Sequence, residues 1–248
     1  MTATLCQLIH GEPGVGKSWY AQTTPAPRLV LDAEGGSRVP WRMRPNNVAE
    51  KQRLVKWNPA REEPPAPGDW EVCYVAVQDF QVMSQAYAWL NAGKHPFRSV
   101  VIDSLTEVQK RCRDQLGGND TLTERNWGDL LIKMENLVRY YRDLTFHPTH
   151  PLDTVTFIAL TDPRSGRSKP AIQGGLSISL PGYVDLEGYL YTEMEDEVNT
   201  RKLLINPVGN FQAKDRTHLL TARYGPAISN PDCEQMLAVL NDDGEANG

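Results

Sequence analysis

The sequence predicts an α/β protein with a mostly parallel central sheet flanked by helices on both faces. Three observations carry that expectation. Short apolar runs recur along the chain at 4–9, 28–32, 99–103 and 154–160, each the length of a buried strand. Segments with helical spacing of apolar residues alternate with them. The first strand also runs straight into Gly11-Glu12-Pro13-Gly14-Val15-Gly16-Lys17-Ser18, which fits the phosphate-binding pattern G-x-x-x-x-G-K-[ST].

In that loop each fixed residue answers a physical need. The glycines let backbone N–H groups converge on phosphate oxygens where a Cβ would clash. Lys17 brings an ammonium to the β- and γ-phosphates, and the Ser18 hydroxyl completes the shell of a Mg²⁺ ion. A helix starting near Gly16 presents its positive end to the same phosphates.

After the loop only a short helix fits at 19–24, because Pro25 and Pro27 end it. The strand Arg28–Asp32 then leads into Ala33-Glu34-Gly35-Gly36. Residues 37–57 show no clear periodicity apart from a short strand at 54–57. The proline-rich stretch 58–69 reads as an exposed loop. A strand is expected at 70–77 and an amphipathic helix at 80–90. The next strand, Ser99–Asp103, ends in a carboxylate and is followed by a helix at 105–116, broken by Gly117-Gly118. Residues 127–144 form the strongest helical pattern, with Trp127, Leu130, Leu131, Met134, Leu137, Val138, Tyr141 and Leu144 on one stripe, expected to be core. Residues 162–181 are polar, hold glycines and prolines, and read as a long loop. Later strands are expected at 186–193, 202–205 and 217–221, then a closing helix at 231–240. With no repeat and no long linker, residues 1–240 read as one domain, and 241–248 as a disordered acidic tail.

An apolar strand delivering Asp103 beside the loop is the arrangement that holds Mg²⁺, so Ser18 and Asp103 are the expected metal ligands. The competing role for Asp103 is to cap the following helix. Hydrolysis further needs a group that orients or deprotonates water. Ser104 follows Asp103 where many ATPases carry glutamate, so the base must come from elsewhere, and Glu34 at the end of the neighbouring strand is the candidate. Asp32-Ala33-Glu34-Gly35 also fits D-x-x-G of GTPases, but the guanine-reading N-K-x-D is missing, and that reading loses.

Strand and loop, Leu31-Asp32-Ala33-Glu34-Gly35-Gly36 and Val100-Val101-Ile102-Asp103-Ser104-Leu105 together resemble the RecA-like recombinase core of the P-loop NTPases. Asn126-Trp127-Gly128, Leu180-Pro181-Gly182-Tyr183-Val184-Asp185 and Ala213-Lys214-Asp215-Arg216 resemble its shortened phage version, the RecA-like single-strand annealing proteins of the Sak-four type. The resemblance covers most of residues 5–221. It implies that Glu34 is the catalytic glutamate and that Lys214 and Arg216 reach the γ-phosphate of a neighbouring subunit. It also implies that the loop after the strand at 154–160 and the loop at 117–125 contact single-stranded DNA. Because the chain opens on its first core strand, no separate assembly domain is expected before it.

The expected function is therefore a phage-encoded, cytoplasmic, Mg²⁺-dependent ATPase that binds single-stranded DNA and promotes annealing or homologous recombination. ATP and Mg²⁺ are the expected cofactors. The partners would be DNA, further copies of the chain and a single-strand binding protein. The first rival is an ATP-driven regulator or assembly factor acting on protein partners, and the second a nucleoside or nucleotide kinase. The net charge of −5 excludes a globally basic nucleic-acid binder, so DNA contact must be local. Arg164, Arg167 and Lys169 form such a patch, with no acid among residues 163–170. Neither loop shows an aromatic stack in sequence, so backbone contact is the expected mode. No run approaches the ~20 apolar residues of a membrane span, and the amino terminus has no leader pattern. The dispersed Cys6, Cys73, Cys112 and Cys233 read as free thiols.

Overall fold

A strand with no polar alternation can bury both faces only inside a sheet covered by helices. The computed structural model, which describes residues 2–35, 43–44, 47–51, 53–118, 121–162, 168–195 and 197–242, puts such strands at its centre. They are β1 (Leu5–Gly11), β2 (Arg28–Asp32) and β7 (Ser99–Asp103), buried at every position. A small hairpin, β3 (Met43–Arg44) with β4 (Asn47–Lys51), stands apart from the main sheet. β5 (Leu54–Lys56), β6 (Val72–Ala76), β8 (Thr154–Asp162) and β10 (Leu186–Glu195) extend the parallel part. The antiparallel additions are β9 (Lys169–Pro170), β11 (Val198–Leu204), β12 (Lys214–Asp215) and β13 (Ala227–Ser229). Across the main sheet the order is β13-β11-β10-β1-β8-β7-β2-β6-β5, with β12 on β10 and β9 on β8. The expected mostly parallel α/β architecture is the observed one.

The helices are α1 (Lys17–Ala21), α2 (Gln81–Asn91), α3 (Leu105–Gly117), α4 (Glu124–Asp143), α5 (Leu176–Tyr183), α6 (Leu219–Tyr224) and α7 (Cys233–Asn241). On one face of the sheet Leu8, Leu31, Ile102 and Phe157 pack with Met83, Leu90, Val108, Met134, Val138 and Tyr141 of α2, α3 and α4. On the other, Leu5, Ile9, Leu190 and Leu203 pack with Tyr20 of α1, Leu220 of α6 and Met236 of α7. Truncating the fully buried Phe157 to alanine would cost ~3–5 kcal/mol, because the close-packed layer around it cannot collapse into the gap.

Local chemistry sets the helix ends. Ser104 caps α3 by accepting from the Glu107 N–H at 3.3 Å, and Thr123 caps α4 by accepting from the Asn126 N–H at 3.2 Å. α4 therefore begins ahead of the apolar stripe. Its stripe is buried as expected at Leu130, Met134, Leu137, Val138 and Tyr141, but Trp127 is 42% exposed.

Two sequence expectations are corrected. Residues 162–181 are not loop throughout: β9 and α5 lie there, with Pro181 inside the helix. Leu176 and Leu180 bury against the α2–α4 layer, and Ser179 Oγ donates to Glu135 of α4 at 2.8 Å. Tertiary burial overrides the poor propensity of Pro181 and Gly182. Residues 217–221, expected as a strand, turn into α6. The Asp215 carboxylate accepts from the backbone N–H and hydroxyl of both Thr217 (3.0 and 2.6 Å) and Thr221 (2.9 and 3.0 Å), which coils the chain around it. All four cysteines are buried free thiols. The tail from residue 243 lies outside the described residues.

Candidate functional site

Register decides which side chains meet above the sheet. Ile9 of β1, Ile158 of β8 and Asp103 of β7 share one level, and Asp32 of β2 sits beside Asp103. Gly11 pairs with Leu160, two residues higher, and from there the phosphate-binding loop rises. A Cβ on Gly11 would fall 2.4 Å from the Leu190 carbonyl oxygen, so only glycine lets the loop leave the sheet here. Gly14 and Gly16 have φ of +85° and +98°, which an L side chain rarely adopts. α1 starts at Lys17 as expected but has only 5 residues, so its macrodipole is a small part of the anion field.

Lys17 arches back over this loop. Its ammonium donates to the carbonyls of Gly11 (2.8 Å) and Glu12 (2.9 Å). Burial lowers its pKa, opposed by Glu34, Asp103 and Glu12, in that order. The three acids that favour its charge thus include both candidates drawn from the sequence.

Ser18 Oγ donates to Asp103 Oδ2 at 2.8 Å, so the two expected metal ligands touch. Burial pushes the Asp103 carboxyl up to about 7; the Ser18 bond lowers it, while Glu34 and Asp32 raise it. A buried carboxylate among other carboxylates gains most from a cation beside it, and a hydroxyl–carboxylate pair suits Mg²⁺. Mg²⁺ takes few protein ligands and fills its shell with water and phosphate oxygens. No cluster of three or more His, Cys, Asp or Glu side chains suited to a metal occurs among the described residues. The pair therefore fits a metal carried in with phosphate rather than a standing protein cage.

Glu34 reaches the same place by a turn that Asp32 builds. Asp32 Oδ1 accepts from the N–H groups of Glu34 (3.0 Å) and Gly35 (2.9 Å), and Tyr74 donates its hydroxyl to Oδ2. Arg111 of α3 holds the turn from above, donating to the carbonyls of Ala33 and Gln78, both at 2.9 Å. Ser104 Oγ then donates to Glu34 Oε1 at 2.6 Å. The residue after Asp103 is thus a serine that tethers a glutamate supplied from β2. Asp103 itself does not cap α3; Ser104 does. This role for Ser104 was missed, although Ser104-Leu105-Thr106-Glu107 has the spacing of a capping box. Tyr74 and Arg111 gave no sequence signal, because their roles depend on which strands become neighbours.

Lys214 and Arg216 lie elsewhere. β12 pairs with the beginning of β10, at the level of Gln7 and Leu8 rather than of the loop. Lys214 donates to the carbonyls of Pro181 and Val184 (2.8 Å to Val184), and Arg216 to the Gly182 carbonyl and to Asp185 Oδ1 at 3.1 Å. Burial, then Arg216, lowers the Lys214 pKa. Within one chain these cations secure the end of α5 and do not join the phosphate loop. Of the expected DNA patch, Lys169 is half-buried on β9, opposite Asp162. Arg164 and Arg167 lie outside the described residues, as do Gly36, Asn119 and Asp120.

The structure also assembles rings that no sequence window contains. Tyr189 stacks on Tyr191 (centroids 5.8 Å, planes 13° apart) and on Phe211 (4.8 Å, 29°). Phe211 bridges to Ser168, at the foot of the basic segment. His10, the residue before Gly11, lies between Thr161 at the end of β8 (Nδ1 to Oγ1, 3.0 Å) and the Gln212 carbonyl (Nε2, 3.1 Å). Gln212 in turn donates to both oxygens of the buried Glu187, at 2.9 and 3.1 Å. Burial lowers the His10 pKa to about 4, so the ring is neutral and donates only one of those two bonds.

A family model described as an AAA domain matches residues 3–217. No curated protein matches. Among solved structures the chain is similar to an ATPase from the type III secretion system of pathogenic bacteria, at 12% identity and a TM-score of 0.44. That match covers 76% of this chain and 52% of that one, so the chain spans about half the ATPase's length. It is also similar to a KaiC-like protein from the hyperthermophilic archaeon Pyrococcus horikoshii OT3, at 14% identity and a TM-score of 0.43, covering 81% and 77% of the two chains.

Proposed function

The chain belongs to the AAA-domain family, and from that premise we propose that it is a P-loop ATPase of RecA-like fold that couples ATP to binding and annealing of single-stranded DNA. In the hydrolytic part, the loop 11–18 holds the triphosphate, Lys17 neutralises the β- and γ-phosphates, and Ser18 and Asp103 hold Mg²⁺, which supplies charge neutralisation on the phosphates. Glu34, fixed by Ser104 and by the Asp32 turn, orients the attacking water and takes its proton.

The observation that carries the DNA part is the ring stack Tyr191–Tyr189–Phe211 beside Ser168. Single strands are held by stacking bases on aromatic faces along a basic track, at ~1–3 kcal/mol per base. Here half-exposed rings adjoin Ser168, which precedes Lys169 in the chain. Stacking thus joins the backbone contact expected from sequence alone. Coupling has a physical route, because His10 ties the strand entering the phosphate loop to Thr161 and Gln212, the residues flanking the basic segment and Phe211. Lys214 and Arg216 act in trans in a homo-oligomer, leaving their partners at residues 181–185 to reach a neighbour's γ-phosphate. A phage origin, a cytoplasmic location and a single-strand binding protein as partner belong to the same reading. No helix among the described residues is long and apolar enough to cross a membrane.

Fluorescence anisotropy with a labelled oligonucleotide tests it. ATP with Mg²⁺ should tighten binding, and Phe211→Ala should weaken it by ~5-fold or more while sparing ATP affinity. Changing Arg164, Arg167 and Lys169 together to alanine should flatten the log–log salt slope by about two units, at ~0.7 per phosphate contact. Wild-type protein with no single-strand affinity at low salt would sink the DNA reading and leave a regulator acting on protein partners.

A further inference from the structure

The β10–β11 hairpin runs past the last residue that β10 pairs with on β1. His10 pairs with Tyr189, whereas β10 continues to Glu195 and returns through β11 from Val198. The overhang therefore stands beside the phosphate-binding loop. Arg201, opposite Thr192 on this hairpin, leans across onto the loop itself. A Cβ built on Gly16 would fall 2.4 Å from Arg201 Nε, 3.1 Å from Cδ and 3.2 Å from Cζ. The side chain thus packs against the glycine that precedes Lys17, a position whose φ of +98° itself calls for glycine.

Among the described residues no acid is paired with Arg201, whose side chain is exposed. The adjacent Lys202 is matched twice, by Glu193 at 2.6 Å and Glu195 at 2.5 Å. Of two successive cations on one strand, the described acids of the hairpin neutralise the one facing away and not the one on the loop. A guanidinium offers a planar fork of five donors suited to phosphate oxygens.

We propose that Arg201 is a nucleotide-binding residue that contacts the α- and β-phosphates of the ATP held by its own subunit's loop. The side of approach decides which phosphates. Asp103 and Glu34, which mark the γ-phosphate end, reach the site from β7 and β2, on one flank of β1. Arg201 comes from β10 and β11, on the opposite flank. It therefore meets the part of the triphosphate that remains in ADP. The inference rests on the reading of residues 11–18 as a nucleotide site, and deepens it.

Titration calorimetry with ATP and with ADP, each with Mg²⁺, tests both and separates them. A charge-assisted contact of ~1.5–3 kcal/mol corresponds to a loss of ~10- to 150-fold. Arg201→Ala should weaken ATP and ADP by the same factor in that range, and Arg201→Lys, which keeps the charge but not the fork, should recover part of it. Unchanged melting of the nucleotide-free variants will show that the hairpin still folds; if alanine unfolds it, Arg201→Gln provides the same comparison. Unaltered affinities in a wild-type protein that binds nucleotide would overturn the assignment to Arg201. A loss confined to ATP would overturn the α- and β-phosphate placement. A wild-type protein that binds neither nucleotide would instead overturn the reading of the loop.

Discussion

Replacing Ser104 with alanine removes one hydroxyl that does two jobs, and their separate magnitudes can be read apart. The hydroxyl accepts from the Glu107 N–H as the cap of α3, and it donates to Glu34 Oε1 at 2.6 Å. Loss of a serine cap costs ~1 kcal/mol, or a fall in melting temperature of ~2–4 °C for a chain of this size. Loss of the bond to the carboxylate removes the contact that aims Glu34 at the water, and misplacing a catalytic group by ~1 Å can cost ~10²-fold. The turnover number kcat should therefore fall ~10- to 100-fold. Affinity for ATP should hold, because Lys17, Ser18 and Asp103 keep their contacts. Phosphate release under saturating ATP gives kcat, and equilibrium titration gives affinity. Ser104→Thr, which retains the hydroxyl, should recover turnover. The decisive measurement is the double variant with Glu34→Gln: once the base is gone, Ser104→Ala should cost nothing more in rate. A lowered melting temperature with wild-type kcat would show that Ser104 only caps α3, and the account of how Glu34 is positioned would be wrong.

Other outcomes follow from the same contacts. Lys17→Ala should abolish ATP binding in an equilibrium assay, whereas Glu34→Gln should bind normally and turn over at background rate; full hydrolysis by the latter would move the base elsewhere. If Arg216 acts in trans, specific activity should rise with protein concentration, and Arg216→Ala should lower it by ~10³. Turnover that is unaffected by that change and by dilution removes the trans role. His10 and His95 are both held near pKa 4 by burial, below the value of about 6.5 in an unfolded chain. The unfolded state then binds more protons, so stability is fully present above pH 6.5 and is lost as pH falls towards 4. Each ring contributes roughly 3 kcal/mol to that loss. Denaturant midpoints that stay flat across this window would refute the neutral assignment.

The sequence by itself determined what depends on neighbours along the chain. The loop 11–18 needs its glycines and Lys17 at fixed spacing whatever the rest does, and buried strands such as Ser99–Asp103 declare themselves by unbroken apolar character. Helices with strong stripes, α2, α3, α4 and α7, were legible for the same reason. Tertiary structure decided everything that required two distant segments to become neighbours. α5 contains Pro181 and Gly182 and has no helical stripe; it forms because Leu176 and Leu180 have a core to enter. α6 coils around Asp215, a polar anchor that periodicity does not register. At the site, Glu34 was a plausible base on its own strand end, but only the β2–β7 pairing brings it to Ser104. The rings of Tyr189 and Phe211 are more than twenty residues apart in sequence and 4.8 Å apart in space, and Arg201 reaches Gly16 only because β10 and β11 overhang β1. Spacing along the chain fixes local geometry through bond lengths and dihedrals, whereas contact between strands is fixed by the register of a sheet whose pairing energy is spread over the whole molecule.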